Sequence, residues 1–192
     1  AAICRKNGWH LVVDEAYATG VFGPQGEGLV NKALAPHCFA RIYTYGKAMG
    51  VHGAAIAGSE LLKDYLVNFA RSFIYTTALP AHSLAMIQAA YTMMAKAMEE
   101  RKKLHDNIAY FNSGMKAKLD FIPRPSAIQS VITGGNEHTR QIAAHIQTQG
   151  FDVRAILSPT VPTGQERLRI CLHAFNTHEE IDRFIEFLKT CM

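Results

Sequence analysis

The sequence predicts an α/β protein. Short apolar stretches of strand length alternate with segments whose apolar side chains recur at three- and four-residue spacing, as in amphipathic helices. Acidic or hydroxyl side chains stand at the ends of two of the apolar stretches, which is where ligand-binding groups lie in parallel sheets. Hydrophobic residues form 48% of the chain and charged residues 19%, a balance typical of a folded globular protein.

The first predicted domain covers residues 1–100. Its opening helix ends at Gly8, because glycine adopts the left-handed C-cap conformation without steric cost. Residues 11–13 of the first strand are apolar throughout, which predicts a buried strand of a parallel sheet. The predicted strands cover residues 9–13, 40–45 and 54–57.

Two helical stretches follow these strands. Pro80 suits the first turn of a long helical region that reaches about residue 119. The charged residues 99–103 are expected to divide this region, and we place the domain boundary there. The preceding helix is indicated by apolar side chains at helical spacing, namely Leu62, Tyr65, Leu66, Phe69 and Phe73.

The second predicted domain, residues 101–192, is a small α/β domain. Thr177 and Glu180 form a capping box that begins a final helix. Another helix, over residues 138–149, ends at Gly150. The remaining segments are predicted strands, over residues 128–133, 151–156 and 168–172.

Composition and spacing exclude several classes of function. Twenty basic and sixteen acidic side chains give a net charge of only +4, and they are not interleaved with aromatic residues as on a nucleic-acid surface. The four cysteines and the histidines lack metal-ligand spacing, so no metal is predicted. No apolar stretch is long enough to cross a bilayer, and the N-terminal residues do not have the pattern of a signal peptide. We therefore expect a cytoplasmic location.

The chain begins without methionine, at what is predicted to be the end of a helix. We therefore expect the chain to be a piece of a longer protein. We therefore expect the 192 residues by themselves to be poorly soluble or inactive.

Four side chains form the most informative constellation. Asp14 follows the first strand, Tyr17 lies three residues later, and Thr44 precedes Lys47 by three residues. Pyridoxal phosphate (PLP) needs such groups: a carboxylate for the pyridinium nitrogen, a donor for the ring oxygen, a hydroxyl for the phosphate and a lysine amine for the Schiff base. Each residue alone would more often be an ordinary cap or surface side chain.

The same residues carry a family resemblance. Residues 11–20, followed by further glycines to Gly28, resemble the D-[DE]-A-H-x-x-G…G-x-G pattern of the α-oxoamine synthase family of PLP enzymes. Residues 44–50 resemble its T-x-x-K-x-x-G pattern, and residues 64–80 and 159–170 resemble later blocks. The likeness covers essentially the whole chain in the right order.

This resemblance implies fold type I of the PLP-dependent transferases, with the chain forming the second half of the large domain and the small C-terminal domain. It assigns Asp14 to the pyridinium nitrogen and Lys47 to the Schiff base and to proton transfer at the substrate. It also implies further contacts. Tyr17 and Thr44 would bind the cofactor, Thr76 and Thr77 would reach the phosphate of a second subunit in a homodimer, and Thr160 and Arg169 would bind the substrate, Arg169 gripping its carboxylate.

The activity that the resemblance implies is condensation of a small amino acid with an acyl-CoA thioester and loss of carbon dioxide. It favours L-alanine with pimeloyl-CoA, as in biotin synthesis. Glycine with an acetyl group and serine with a palmitoyl group remain alternatives.

Tyr17 departs from the family, which has histidine at this position, although related aminotransferases use tyrosine there. A non-enzymatic interpretation, in which the chain is a non-catalytic subunit or an inactive fragment, also stays open. The presence of Lys47 counts against a non-catalytic subunit.

Overall fold

The computed structural model describes residues 1–118 and 121–192, which form two compact units, Ala1–Arg101 and Lys102–Met192. The predicted end of the long helical region, at residue 119, lies outside the described residues. No helix of the described part is both long enough and apolar enough to cross a membrane.

The first unit contains a three-stranded sheet. Its central strand, β2 (Ala40–Thr44), pairs in parallel with β1 (Val12–Asp14) and antiparallel with β3 (Ala54–Gly58). Asp14 lies opposite Ile42 in the first pair, so the carboxyl ends of β1 and β2 point the same way. The elements are α1 (Ala2–Asn7), β1 (Val12–Asp14), β2 (Ala40–Thr44), β3 (Ala54–Gly58), α2 (Glu60–Phe69) and α3 (Ala81–Lys96).

Local signals explain where these helices begin and end. Gly8 closes α1 in the left-handed conformation, with a φ of 65°. The Ser59 hydroxyl caps α2 by accepting a hydrogen bond of 3.2 Å from the Leu62 amide. The Gly8 cap was predicted from sequence and is confirmed.

The second unit has an antiparallel sheet, flanked by helices, in the order β4 (Ile128–Ile132), β6 (Arg167–Cys171), β5 (Arg154–Ile156). The predicted capping box is confirmed, since Thr177 accepts from the Glu180 amide and Glu180 accepts from the Thr177 amide. The helix α4 (Met98–Lys118) begins in the first unit and continues into the second. The other elements are β4 (Ile128–Ile132), α5 (Asn136–Thr148), β5 (Arg154–Ile156), β6 (Arg167–Cys171) and α6 (His178–Cys191).

The core of the second unit lies against one face of its sheet. Leu168 and Ile170 on β6 are buried among apolar side chains of the helices. Because side chains alternate along a strand, Arg167 and Arg169 lie on the opposite face. The most deeply buried apolar side chains of this core are Phe111, Met115, Ile146, Leu168, Ile185 and Leu188.

Several details differ from the sequence prediction. Strand β5 begins at Arg154 rather than at residue 151, and α5 begins at Asn136 rather than at residue 138. Strand β1 begins at Val12 rather than at residue 9, and Val12 is 51% exposed because β1 is an edge strand with β2 as its partner among the described residues. Phe73 lies beyond the end of α2. The long helical region breaks at Ala97, whose ψ is 46°, rather than at the charged residues 99–103, which are good helix formers.

Candidate active site in the first unit

Tyr17 and Lys47 are brought into direct contact. The Lys47 Nζ atom lies 3.3 Å from the centre of the Tyr17 ring, a cation–π contact between two exposed side chains. Such a contact at an exposed site contributes about 0.5–1 kcal/mol, which orients the lysine but leaves it free to move. Two of the side chains predicted to form one site, 30 residues apart in sequence, therefore do meet.

Asp14 and Thr44 stand at the carboxyl ends of the two parallel strands. The Asp14 Oδ1 atom accepts a hydrogen bond of 2.8 Å from the Ala16 amide, which fixes the carboxylate at the start of the turn that carries Tyr17. Asp14 is exposed in this structure, whereas a carboxylate that keeps the pyridinium nitrogen of PLP protonated is expected to be buried.

The Thr44 hydroxyl is buried and has no hydrogen-bond partner among the described residues. An unpaired buried hydroxyl is unfavourable unless something else takes its hydrogen bond. A phosphate oxygen would do so, and the groups present therefore fit the cofactor that the sequence predicts.

The turn that carries Lys47 is closed by backbone hydrogen bonds. The Gly50 amide donates to the Lys47 carbonyl at 3.0 Å, and the Val51 amide donates to the Tyr45 carbonyl at 3.0 Å. The buried Tyr45 ring also packs edge-on against Tyr91, whose hydroxyl donates to that of Tyr45 at 3.3 Å. Burial, together with this hydrogen bond, raises the pKa of Tyr91, which therefore stays neutral and anchors the turn through packing.

Glu15 was missed by sequence reasoning, although it directly follows Asp14. Its carboxylate is fully buried and accepts hydrogen bonds from the Leu29 amide at 2.9 Å and the Val30 amide at 2.7 Å. Its own amide donates to the Ile42 carbonyl at 2.8 Å. Glu15 therefore fixes the segment after the glycine-rich loop to the end of the sheet.

Thr76 and Thr77 lie on the exposed connection between α2 and α3. The Thr76 hydroxyl donates to the Phe73 carbonyl. Tyr75 beside it is fully exposed and has a positive φ of 58°. In the described part of the chain, no hydrogen bond joins either threonine to the Tyr17–Lys47 pair.

The second unit carries the two predicted substrate residues. Arg169 lies on β6 between Ser130 and Arg154, on the face away from the core. Its Nε atom is buried and has no partner among the described residues, so this guanidinium can still donate a hydrogen bond. Thr160 is exposed, in a turn after β5.

Glu166 is a second buried acid that the sequence did not single out. Its Oε2 atom accepts from the Gly135 amide at 2.8 Å and the Gly164 amide at 2.9 Å. Hydrogen bonding by its own backbone amide and by these two amides holds the pKa of Glu166 below its usual range, against the opposing effect of burial. It therefore ties the loop before β6 to the loop between β4 and α5.

The chain matches the family model of aminotransferase class I and II over residues 1–188. Its fold is that of the PLP-dependent transferases, as the sequence predicts: a structure of SPT with a PLP internal aldimine superposes with a TM-score of 0.88 at 25% identity, over 99% of this chain and 49% of that one. The chain thus belongs to the aminotransferase class I and II family.

Individual relatives indicate a narrower group of enzymes within this family. The chain is 43% identical to the 8-amino-7-oxononanoate synthase of Emericella nidulans, over 96% of this chain and 46% of the relative. It is 38% identical to the enzyme of the same name from Serratia proteamaculans, over 97% and 49% of the two chains. The crystal structure of 8-amino-7-oxononanoate synthase from Francisella tularensis gives a TM-score of 0.77 at 31% identity, over 94% of this chain and 54% of that one.

These relatives confirm the resemblance to the α-oxoamine synthases. The chain spans about half the length of the curated relatives it matches. Among the described residues, no group of three or more histidine, cysteine or acidic side chains could hold a metal ion.

Proposed function

We propose that the whole protein is a PLP-dependent acyltransferase that joins L-alanine to pimeloyl-CoA, with loss of carbon dioxide, to give 8-amino-7-oxononanoate, a step of biotin synthesis. The observation that carries this proposal is the 43% identity, over 96% of the chain, to an enzyme of that name. The cofactor fit of Thr44 and the contact between Tyr17 and Lys47 support it independently.

In this proposal the first unit is the C-terminal part of the large cofactor-binding domain. Lys47 would hold the cofactor covalently, and the Thr44 hydroxyl would donate to its phosphate. Asp14 would keep the proton on the pyridine nitrogen, and the Tyr17 hydroxyl would donate to the ring oxygen. When bound, PLP supplies a sink for the electron pair left at the substrate Cα.

The Lys47 amine then has a second task. It would take the proton from the substrate Cα as a general base. A new bond between Cα and the thioester carbonyl carbon would replace the bond from that carbon to sulfur, and the CoA thiol would leave with the proton taken from Cα. The substrate carboxylate would then depart as carbon dioxide, and Cα would take up a proton in its place. The Tyr17 ring face supports this role, because it can hold the lysine ammonium within reach of the site without an ion pair that would trap it.

The second unit is proposed to recognise the amino-acid carboxylate. Arg169 presents a planar fork of donors that matches a carboxylate, and its Nε atom lacks a partner among the described residues. Thr160 is proposed as a further substrate contact.

A homodimer with shared active sites is the proposed assembly. The exposed Thr76 and Thr77 would contact the phosphate bound by the partner subunit, and the exposed Met86 and Met93 on α3 would lie in or near the interface. Sedimentation of the full-length protein tests this. A monomer with full activity would contradict it.

A serine palmitoyltransferase is the second candidate, favoured by the TM-score of 0.88 to the SPT structure. The test is to assay the full-length protein with alanine, glycine and serine, each against acetyl-, pimeloyl- and palmitoyl-CoA. We expect alanine with pimeloyl-CoA to give the highest kcat/KM. A preference for serine with palmitoyl-CoA would replace the first proposal with the second.

A further inference from the structure

The glycine-rich loop, residues 20–28, packs directly on the lysine turn. The loop is closed by the Gly20 amide, which donates to the Gly26 carbonyl at 2.7 Å. Gly20 has a φ of 85°, and a Cβ atom there would lie 2.9 Å from the Cβ atom of Ala48. The residue after Lys47 therefore rests against this loop with no space between them.

Arg101 holds the other side of the same loop. It is only 7% exposed, although the sequence places it in a basic run of the kind that usually lies on a surface. Its guanidinium donates to the Pro24 carbonyl at 2.8 Å and also to the Met94 carbonyl at the end of α3. Gly26 makes room for it, since a Cβ atom there would lie 3.1 Å from Nη1.

We propose that Arg101 is a positioning residue for Lys47, a role that rests on the proposed function. It ties the loop to α3, the loop seats Gly20 against Ala48, and Ala48 fixes the turn from which Lys47 reaches the Tyr17 ring. Removing the guanidinium leaves the Pro24 carbonyl without this donor and releases the loop from α3, whereas the Met94 carbonyl keeps the hydrogen bond from the Ala97 amide. The lysine turn then loses the surface that it rests on.

The first experiment replaces Arg101 in the full-length protein. Arg101→Met keeps part of the apolar stem and loses every donor, whereas Arg101→Lys keeps the charge and one donor group. We expect kcat to fall about tenfold or more for Arg101→Met, with KM little changed and Arg101→Lys in between, because misplacing a reacting group acts on the chemical step. The matched control is Lys103→Met, an exposed residue of the same basic run, which should retain activity.

The second readout needs no cofactor. In the cofactor-free protein, the Lys47 amine is labelled with an acylating reagent and quantified by peptide mapping, with the exposed Lys63 as internal reference. Loss of the Tyr17 contact should speed labelling of Lys47 about two- to fivefold in Arg101→Met and leave Lys63 unchanged. A protein that was merely less stable would not change one lysine alone.

A third comparison keeps Arg101 intact. Gly20→Ala should reproduce the faster labelling, because the new Cβ atom would clash with Ala48. Adding Ala48→Gly removes that clash and should restore part of the protection, the remainder being the backbone strain of alanine at positive φ. This pair also provides the test if Arg101→Met fails to fold.

Wild-type labelling of Lys47 in a folded Arg101→Met variant, wild-type labelling in Gly20→Ala, or no recovery in Gly20→Ala/Ala48→Gly would each overturn the inference. Failure of the proposed function has a different signature. The wild-type protein would then lack cofactor on Lys47 or turn over none of the substrates, while the cofactor-free labelling still decides the role of Arg101.

Discussion

Replacing Glu15 by glutamine should loosen the segment that follows the glycine-rich loop. The carboxylate is buried and accepts from two backbone amides, those of Leu29 and Val30, at 2.9 and 2.7 Å. Glutamine has the same shape but only one accepting oxygen. Its NH2 group would face the other amide, so one charge-assisted bond is lost and a donor stays unsatisfied.

The magnitude follows from these two bonds. A hydrogen bond to a charged group contributes about 1.5–3 kcal/mol, and we expect local opening of this segment to become easier by about that amount. Hydrogen exchange at the Leu29 and Val30 amides should then be roughly 10- to 100-fold faster in Glu15→Gln than in the wild type.

The assay is amide hydrogen exchange on the full-length protein at constant pH. Glu27→Gln is the matched control, because Glu27 belongs to the same loop but is exposed and accepts from the local Gln25 amide at 2.8 Å. Unchanged exchange at Leu29 and Val30 would refute the reasoning. Equal acceleration throughout the protein would do so as well, since it would mean global destabilisation rather than release of one segment.

Four further outcomes are expected of the full-length protein. Borohydride should fix the cofactor covalently on Lys47, and peptide mapping that finds the label on another lysine would contradict the site. Asp14→Asn should keep the fold and lose most of the turnover, because a neutral amide no longer holds the pyridine proton; the exposed Asp64→Asn serves as control, and near wild-type rates for both would disprove the role of Asp14. Tyr17→Phe should preserve slow labelling of Lys47 in the cofactor-free protein while weakening cofactor binding, whereas Tyr17→Leu should lose both, and equal labelling in the two variants would argue against the ring contact. The lowered pKa of Glu166 stabilises the fold above its unfolded-state pKa of about 4.3, and this contribution should disappear as the pH falls through the lower folded-state pKa. Glu166→Gln should therefore have a smaller free energy of unfolding in urea than wild type at pH 7, and the difference should shrink toward pH 3. A difference that does not depend on pH would rule out this linkage.

The sequence predicted features whose cause is local. Gly8 and the Thr177–Glu180 capping box act over a few residues, so their chemistry can be read from neighbours in the chain. The family and fold were also predicted correctly, because the motifs preserve the order and spacing of whole blocks. The roles of the individual site residues remain predictions.

Features that depend on distant partners were not predictable. Arg101 belongs to the charged run 99–103, in which nothing marks it for burial, and the Pro24 carbonyl to which it donates lies 77 residues away in sequence. Glu15 directly follows Asp14 in sequence, but the two amides that it binds come after the glycine-rich loop, whose path the sequence does not define. Burial of a charge is decided by which donors or acceptors the tertiary fold delivers, which no periodicity reveals.

The unpaired hydroxyl of Thr44 has a consequence for the balance between folding and binding. Leaving such a group buried without a partner costs the fold about 1–3 kcal/mol. A ligand oxygen that accepts from Thr44 recovers this free energy, and the recovery appears as affinity. Part of the stabilisation that such a ligand gives the protein would therefore be the free energy that the fold lacks while the Thr44 hydroxyl is unpaired. If a ligand oxygen takes this hydrogen bond, affinity for that ligand and the stability of the ligand-free fold are competing properties at this one side chain.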